Sequence, residues 1–151
     1  MAYQDIIGAV RKQVPSVGAA WSRDDFISTE QDVDGKDLAG MLGLKRVLHE
    51  RDLRLTPRRP RRARVIEPAG AEPMAEVGRL VTEIDDPRLP RAVIFRDSFA
   101  SRLVPFLSEH FSRAVYLWQN DFDANVVIEE HPDVVIQDIV GRHLYTFLPS
   151  P

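Results

Sequence analysis

Three short apolar runs in the second half of the chain constrain its fold more than any other feature. They occupy residues 92–95 (AVIF), 114–118 (AVYLW) and 134–136 (VVI). Strands that are apolar throughout, rather than alternating with polar residues, are typical of parallel sheets that helices cover on both faces. The runs therefore predict an α/β fold in which three parallel strands form the central layer.

The stretches between the runs have the spacing of amphipathic helices. Apolar residues recur every three or four positions after the first run, on a face formed by Leu103, Phe106, Leu107, His110 and Phe111. A second helix should begin at Asp121 or Asp123 and end before Pro132, and a last helix should cover 139–144. Residues 90–151 thus predict a βαβαβα unit with right-handed crossovers.

Residues 1–89 are less regular. The pattern predicts a helix over 3–14 that Pro15 stops, and an irregular Pro- and Arg-rich surface segment over 47–73. Shorter elements are expected elsewhere: a strand at 26–33, a helix at 37–42 after the turn Asp34-Gly35, and strands at 63–66 and 78–84. No capping signal precedes the first helix, as if the chain began inside a longer element. We therefore expect 1–151 to be the C-terminal part of one domain.

Composition excludes several kinds of site and partner. The 151 residues contain no cysteine, which excludes disulfides, thiolate metal sites and cysteine nucleophiles. No apolar run approaches the roughly 20 residues that a membrane span needs, and the N-terminus is not a signal peptide. The net charge is −3, and no aromatic residues interleave the five arginines of 58–64. That cluster is better explained as a solvated loop than as a phosphate or nucleic-acid site.

The first apolar run ends abruptly in Arg96-Asp97-Ser98-Phe99, at the carboxyl end of a strand, where open α/β sheets bind ligands. Pro105 is tolerated only in the first turn of a helix, so the helix should not begin much before Ser101. Ser98 should therefore lie in the turn, with its hydroxyl exposed beside N–H groups that can hold an oxyanion. On these residues alone, an ordinary Asx or serine turn is the commoner explanation.

A nucleophilic serine needs a base, and the chain has four histidines. Local structure is the better explanation for three of them: His49, His110 and His131. His143 follows Asp138 by five residues, which places the two side chains roughly 140° apart on a helix. Asp138 is therefore better placed to pair with Arg142. His143 is the candidate local base that remains.

Two further residues end the second apolar run near the edge expected for Ser98. Asn120 is a candidate oxyanion or substrate donor, and its alternative role is that of a turn or helix cap. Trp118 is a candidate wall of a sugar site, and its alternative role is core packing.

The ordered set FRDSF…LVPFLSEHFSRAVYLWQNDFDANVVIEEHPDVVIQDIVGRHL resembles the AlgX/AlgJ-type proteins, the SGNH-hydrolase-like O-acetyltransferases of bacterial exopolysaccharides. AYQDIIGAVRKQVP, GKDLAGMLGL and LTPR are similar in order and spacing as well. The resemblance implies an SGNH-hydrolase-like (flavodoxin-like) three-layer parallel sheet that is incomplete at its N-terminus. Arg96 departs from the pattern, since the wider SGNH family usually has a small glycine before Asp-Ser.

The same resemblance implies acetyl transfer through Ser98, with Asp97 orienting the turn. The family's base is the histidine of an Asp-x-His-Trp motif, which lies upstream of the helix matching 3–14 and does not occur in these residues. We therefore expect little activity from this chain, because Ser98 lacks its base. The implied partners are a polysaccharide acceptor such as alginate, an acetyl donor and a membrane acetyl-transfer protein.

The resemblance also implies a periplasmic or cell-envelope location, and it implies no cofactor or metal. Two rival hypotheses stay open. One is a GDSL-type carbohydrate esterase that uses His143, and the other is a non-catalytic binding module that keeps only the SGNH fold.

Overall fold

Seven strands and four α-helices occur in residues 2–75 and 77–141, which the computed structural model describes, with only the backbone described at Asp37. The strands are β1 Phe26–Asp34, β2 His49–Pro57, β3 Arg64–Glu67, β4 Arg79–Glu83, β5 Arg91–Arg96, β6 Arg113–Trp118 and β7 Val134–Gln137. The helices are α1 Ala2–Arg11, α2 Asp37–Met41, α3 Val104–Leu107 and α4 Ala124–Glu130. The chain divides into two units, one formed by Met1–Ala20 with Arg61–Pro151 and the other by Trp21–Pro60.

The first unit contains a five-stranded sheet in the order β3-β4-β6-β5-β7. β5 pairs in parallel with both β6 and β7, so the three predicted parallel strands are confirmed. The sheet as a whole is mixed, and the expectation of a wholly parallel sheet is wrong at β3 and β4, which pair antiparallel. The connection from β4 to β5 is too short for a crossover, which needs a dozen residues or more, so the chain reverses direction there.

Helices cover both faces of this sheet, as predicted for a three-layer α/β fold. One face presents Val81, Val93, Phe95, Val115 and Leu117, against which Val126 and Val127 of α4 pack. On the opposite face, a buried hydroxyl network joins the sheet to the segment after α3. Thr82 donates to Ser108 Oγ over 3.1 Å, and the Tyr116 hydroxyl lies 2.8 Å from the same atom.

α1 ends at Arg11, three residues earlier than the predicted helix, and Pro15 opens a 3₁₀-helix, Pro15–Val17. His110, which the sequence pattern places on the same helical face as Phe106 and Phe111, is buried. Its two ring nitrogens lie 2.6 Å from the Tyr3 hydroxyl and 2.8 Å from the Val17 carbonyl oxygen. These partners satisfy the ring and make its burial possible.

The second unit is built on an antiparallel pair, β1 with β2, in which Phe26 lies opposite Pro57 and Asp34 opposite His49. The strand predicted at 26–33 is confirmed. Nine residues of the segment expected to be irregular form β2 instead. Most side chains of both strands are exposed, so the half-buried alternation that identifies a strand in a sequence is missing. The rings of Trp21 and Phe26 pack 5.6 Å apart at the base of the pair.

Four of the five arginines of 58–64, which were expected to be solvated, make intramolecular contacts. Arg58 donates to the Asp24 carbonyl and Arg59 stacks over Trp21. In the other unit, Arg61 donates to the Pro105 carbonyl and Arg62 donates to the Asp86 carboxylate. No helix in the described part of the chain is both long enough and apolar enough to cross a membrane.

A buried carboxylate fixes the end of α4 to the sheet. Glu130 accepts from Arg79 at 2.7 Å, from Arg113 at 2.8 Å and from Arg91 at 3.2 Å. Hydrogen bonds from Arg113, and then from Arg79, lower the pKa of Glu130 from 4.5 to about 2 although burial opposes the shift. The ionised form is therefore strongly preferred in the folded protein.

Glu130→Gln should lower the free energy of unfolding by roughly 2 kcal/mol at neutral pH, since it weakens hydrogen bonds to a charged acceptor. Because the folded-state pKa is depressed, this stabilisation is complete above pH 4.5 and is lost as the pH falls toward about 2. Urea unfolding of both proteins across this range should show the difference closing. Glu129→Gln, at the exposed neighbouring position, is the control. A difference that persists at the acid end would assign the loss to packing.

Candidate active site at the carboxyl edge of the parallel strands

Ser98 lies two residues beyond the end of β5, at the first corner after the strand. Its backbone has φ −65° and ψ −28°, and a 3₁₀-helix, Phe99–Arg102, follows directly. Pro105 lies in the first turn of α3, as the sequence predicts, but the segment before α3 is 3₁₀ rather than α-helical. The Ser98 side chain is exposed. The geometry therefore places its hydroxyl at the edge where the parallel strands end.

The hydroxyl of Ser98 does not cap the helix that follows it. No side-chain capping bond forms at this position, and Oγ makes no hydrogen bond to any described residue. Asp97 stabilises the corner instead. Its Oδ1 accepts from the Phe99 N–H at 2.8 Å and its Oδ2 from the Val140 N–H at 2.7 Å. The ordinary-turn explanation of the motif therefore applies to Asp97 and leaves the Ser98 hydroxyl without a structural role within the described chain.

Asp97 also limits where an oxyanion can bind. The first N–H groups of a helix lack acceptors within the helix and can hold an anion. The Phe99 N–H is already occupied by Asp97. The remaining candidate donors to an oxyanion are the Ser98 N–H and the Asn120 side chain.

Arg96, the last residue of β5, is fully buried, with 0% of its surface exposed. Its Nη1 donates to Ser101 Oγ at 2.8 Å and its Nη2 to the Ala75 carbonyl at 3.2 Å. Its guanidinium carbon lies 4.6 Å from the centre of the Trp118 ring. Arg96 thus fills the space under the serine corner and joins three segments of chain there.

Trp118 and Asn120 lie at the end of β6, next to β5, so the sheet places both near the Ser98 edge. Trp118 is half-buried and carries Arg96 against one face of its ring. The Asn120 carbonyl accepts from Gln137 Nε2 at 2.7 Å, which links the ends of β6 and β7. The Asn120 side chain is half-buried and has no capping role: Asp123 caps α4, accepting from the Asn125 N–H.

Asp138 also lies at this edge. From the sequence it was expected to pair with Arg142 on a helix. Its N–H donates to the Phe95 carbonyl at 2.9 Å, which continues the pairing of β7 with β5. Burial, and then the nearby charge of Asp97, raises the pKa of the Asp138 carboxyl. Residues 138–140 form no helix, and the expected partner Arg142 lies outside the described residues. The signal that could have located Asp138 is its place two residues after the third apolar run, directly after β7.

Neither of the two histidines that the structure describes in this unit lies at this edge. His110 precedes β6 and His131 precedes β7, so both lie toward the amino ends of the strands. His131 is the C-cap of α4, with φ 45° in the left-handed region. His49 begins β2 in the other unit. His143, the candidate base, lies outside the described residues, as does most of the helix expected over 139–144.

The described residues also contain no cluster of three or more His, Cys, Asp or Glu side chains arranged to hold a metal ion. The edge presents the Ser98 hydroxyl, the carboxylates of Asp97 and Asp138, the Asn120 amide and the buried guanidinium of Arg96.

Comparison with known proteins adds one structural relationship. No family model and no curated protein matches the sequence. Two solved structures of Bacillus cereus PatB1 share the fold. PatB1 with a sulfonyl adduct aligns with a TM-score of 0.62 and 17% identity, and a second PatB1 structure aligns with 0.60 and 16%. Both alignments cover 89% of this chain, which spans 53% and 55% of the two PatB1 chains. The chain thus has the fold of about half of PatB1.

Substitutions at Asp97 and Ser98 should distinguish a residue that stabilises the turn from one that has only a chemical role. Asp97→Ala should cost roughly 1–2 kcal/mol of stability, because two N–H groups lose their acceptor. Asp97→Asn keeps one acceptor oxygen and should cost less. Ser98→Ala should change stability by no more than about 0.5 kcal/mol. Urea midpoints measure all three variants, and a Ser98→Ala loss as large as that of Asp97→Ala would identify Ser98 as a capping residue.

Asp138→Asn should stabilise the protein at neutral pH. A carboxyl whose folded-state pKa is raised contributes its stability at low pH and loses it as the pH rises through that pKa. Removing the charge removes this penalty, so the urea midpoint should rise above that of the wild type at neutral pH, and the difference should disappear in acid. Asp121→Asn, at an exposed position, is the control. A lower midpoint at neutral pH would contradict the assignment.

Proposed function

We propose that this chain carries the nucleophile of a serine O-acetyltransferase that acetylates a cell-envelope polysaccharide. The observation that supports this most directly is the Ser98 hydroxyl, exposed at the carboxyl edge of the sheet while Asp97 holds the turn. A serine at such a corner is the arrangement that nucleophilic catalysis requires, provided that a base reaches its Oγ.

The reaction would proceed in two acyl transfers. Ser98 Oγ attacks the carbonyl carbon of an acetyl donor, its proton passes to a base, and the leaving group departs with a proton. A hydroxyl of the sugar then attacks the acetyl-serine ester, transfers its proton to the base, and leaves as the O-acetyl sugar with Ser98 restored. Backbone or amide N–H groups near Ser98 would stabilise the oxyanion in both steps.

The base in this proposal is a histidine outside the described residues. His110 and His131 lie toward the amino ends of the strands and so away from Ser98, and each carboxylate oxygen of Asp97 accepts a backbone N–H group. Two candidates follow from the sequence: His143, and the histidine that the family resemblance expects upstream of α1. The second is favoured because its motif is the family's own.

The fold shared with PatB1 supports the proposal through the chemistry of one bound adduct. One of the PatB1 structures contains a sulfonyl adduct, and sulfonyl electrophiles commonly form adducts with activated hydroxyl nucleophiles. Because the chain spans about half of PatB1, the activity and location of a whole protein are proposals here. An extracellular polysaccharide such as alginate as acceptor, a membrane partner as acetyl source and a periplasmic location rest on the resemblance alone.

Two alternatives are distinguished by product. A carbohydrate esterase would release acetate from an acetylated sugar into water without acylating a second sugar. A binding module would bind the polysaccharide without turnover, and Ser98→Ala would leave that binding unchanged.

The test is transfer of acetyl from p-nitrophenyl acetate to oligosaccharides from alginate and from peptidoglycan, read by mass spectrometry. Acetyl-sugar formation should depend on Ser98 and disappear in Ser98→Ala. Ser16→Ala, at another exposed serine of the same unit, should have no effect. If the base is absent from the folded chain, added imidazole should raise the Ser98-dependent rate by about 100-fold, the range of general base catalysis.

Labelling with phenylmethylsulfonyl fluoride provides an independent readout. The adduct should map to Ser98 by peptide mass spectrometry and be absent in Ser98→Ala. The proposal would be refuted by acetyl transfer, with or without imidazole, that is the same in wild type and Ser98→Ala. Sugar binding without any acetyl-serine would favour the module.

A further inference from the structure

The loop that joins β1 to β2 contains an unusual concentration of exposed apolar side chains. We call residues 38–48 the hairpin tip. Its large apolar residues are exposed by 39% to 84%: Leu38 76%, Met41 84%, Leu42 70%, Leu44 39%, Val47 69% and Leu48 45%. Soluble surfaces carry single exposed apolar residues, whereas a contiguous group indicates an interaction surface.

The backbone of the hairpin tip is hydrogen-bonded within the loop itself. The N–H groups of Leu42 and Leu44 donate to the carbonyls of Leu38 and Ala39 at 3.2 and 2.8 Å, and Leu48 donates to Leu44 at 3.0 Å. The Gly35 N–H closes the loop, donating to the Lys45 and Leu48 carbonyls. A loop whose backbone groups are paired in this way can enter an apolar medium at low cost.

The charges of the hairpin tip all have one sign. Lys45 and Arg46 are its only charged residues, and both are exposed. Acidic residues flank the tip in sequence, at Asp34, Asp37 and Glu50, but none lies within it. No salt bridge joins Lys45 or Arg46 to the described side chains.

We infer that the hairpin tip binds the surface of an anionic lipid bilayer, with Met41 and Leu42 in the interface and Lys45 and Arg46 at the head groups. Apolar side chains beside cations, without anions, match a bilayer interface whose core is apolar and whose surface is negative. A purely apolar groove of a protein partner would not require the cations. The inference is independent of the function proposed for Ser98.

The experiment measures co-sedimentation of the full chain with two kinds of vesicle, phosphatidylcholine alone and phosphatidylcholine mixed with phosphatidylglycerol. Binding to the anionic vesicles should be at least about tenfold tighter, and should weaken with added salt. Lys45→Gln with Arg46→Gln should remove this preference. Met41→Ser with Leu42→Ser should lower binding to the anionic vesicles by at least about tenfold.

Two controls match these variants in chemistry. Arg11→Gln with Lys12→Gln removes an adjacent exposed cation pair elsewhere in the chain, and Ile128→Ser removes an apolar side chain that is 67% exposed on α4. Both controls should bind vesicles as the wild type does. Thermal unfolding followed by circular dichroism should be the same for all four variants, since the changed side chains are exposed.

Three outcomes would overturn the inference. The first is a wild type that binds neither kind of vesicle, and the second is tip variants that bind as tightly as their controls. The third is a wild-type dimer, seen by light scattering, that binds no vesicles and that Met41→Ser with Leu42→Ser dissociates. That last result would assign the hairpin tip to a second copy of the chain.

Discussion

The pairing of β5 with a parallel strand on each side is the constraint on which the candidate site depends. β5 is buried from Ala92 to Arg96 and is bonded to β6 on one edge and β7 on the other. Parallel strands end at the same edge of a sheet, so this pairing brings Ser98, Asn120 and Asp138 together although they are far apart in sequence. No bond among the three side chains is needed to assemble the edge. The positions of these residues are therefore set by the central strands.

Much of this centre could be predicted from the sequence because burial on both faces leaves a direct trace. The runs at 92–95 and 114–118 are apolar throughout, and their parallel pairing is confirmed. Pro105 correctly placed Ser98 outside the helix. Exposed elements leave no such trace. β2 has charged residues on both faces and was interpreted as irregular chain, since an exposed two-stranded pair has no core to impose an alternating pattern. The antiparallel direction of β4 follows from the short connection between β4 and β5. The residue pattern at 78–84 therefore predicted a strand but could not predict its direction.

Arg96 shows why the candidate site was harder to predict than the sheet. In the sequence, Arg96 departs from the glycine that the resemblance leads one to expect before Asp-Ser. The structure accommodates it by burial between Trp118 and Ser101, where it makes two hydrogen bonds and a stacking contact. This role depends on Trp118 and Ala75, which contact Arg96 but are distant from it in sequence. The residues around position 96 therefore could not predict it. The same contact bears on Trp118, because one face of its ring is occupied by Arg96 and only the remainder can meet a sugar.

The roles of the two carboxylates decide what the edge can do without help. Asp97 uses each of its oxygens to accept one backbone N–H group, so its side chain is held by the turn. Burial, and then the nearby charge of Asp97, raises the pKa of Asp138, so this carboxyl binds a proton more tightly than an exposed one. The Ser98 hydroxyl is exposed and makes no hydrogen bond to a side chain among residues 2–75 and 77–141. Our proposal therefore assigns its deprotonation to a base from outside those residues. A module that only binds polysaccharide has no such requirement, and this difference makes rescue by imidazole informative.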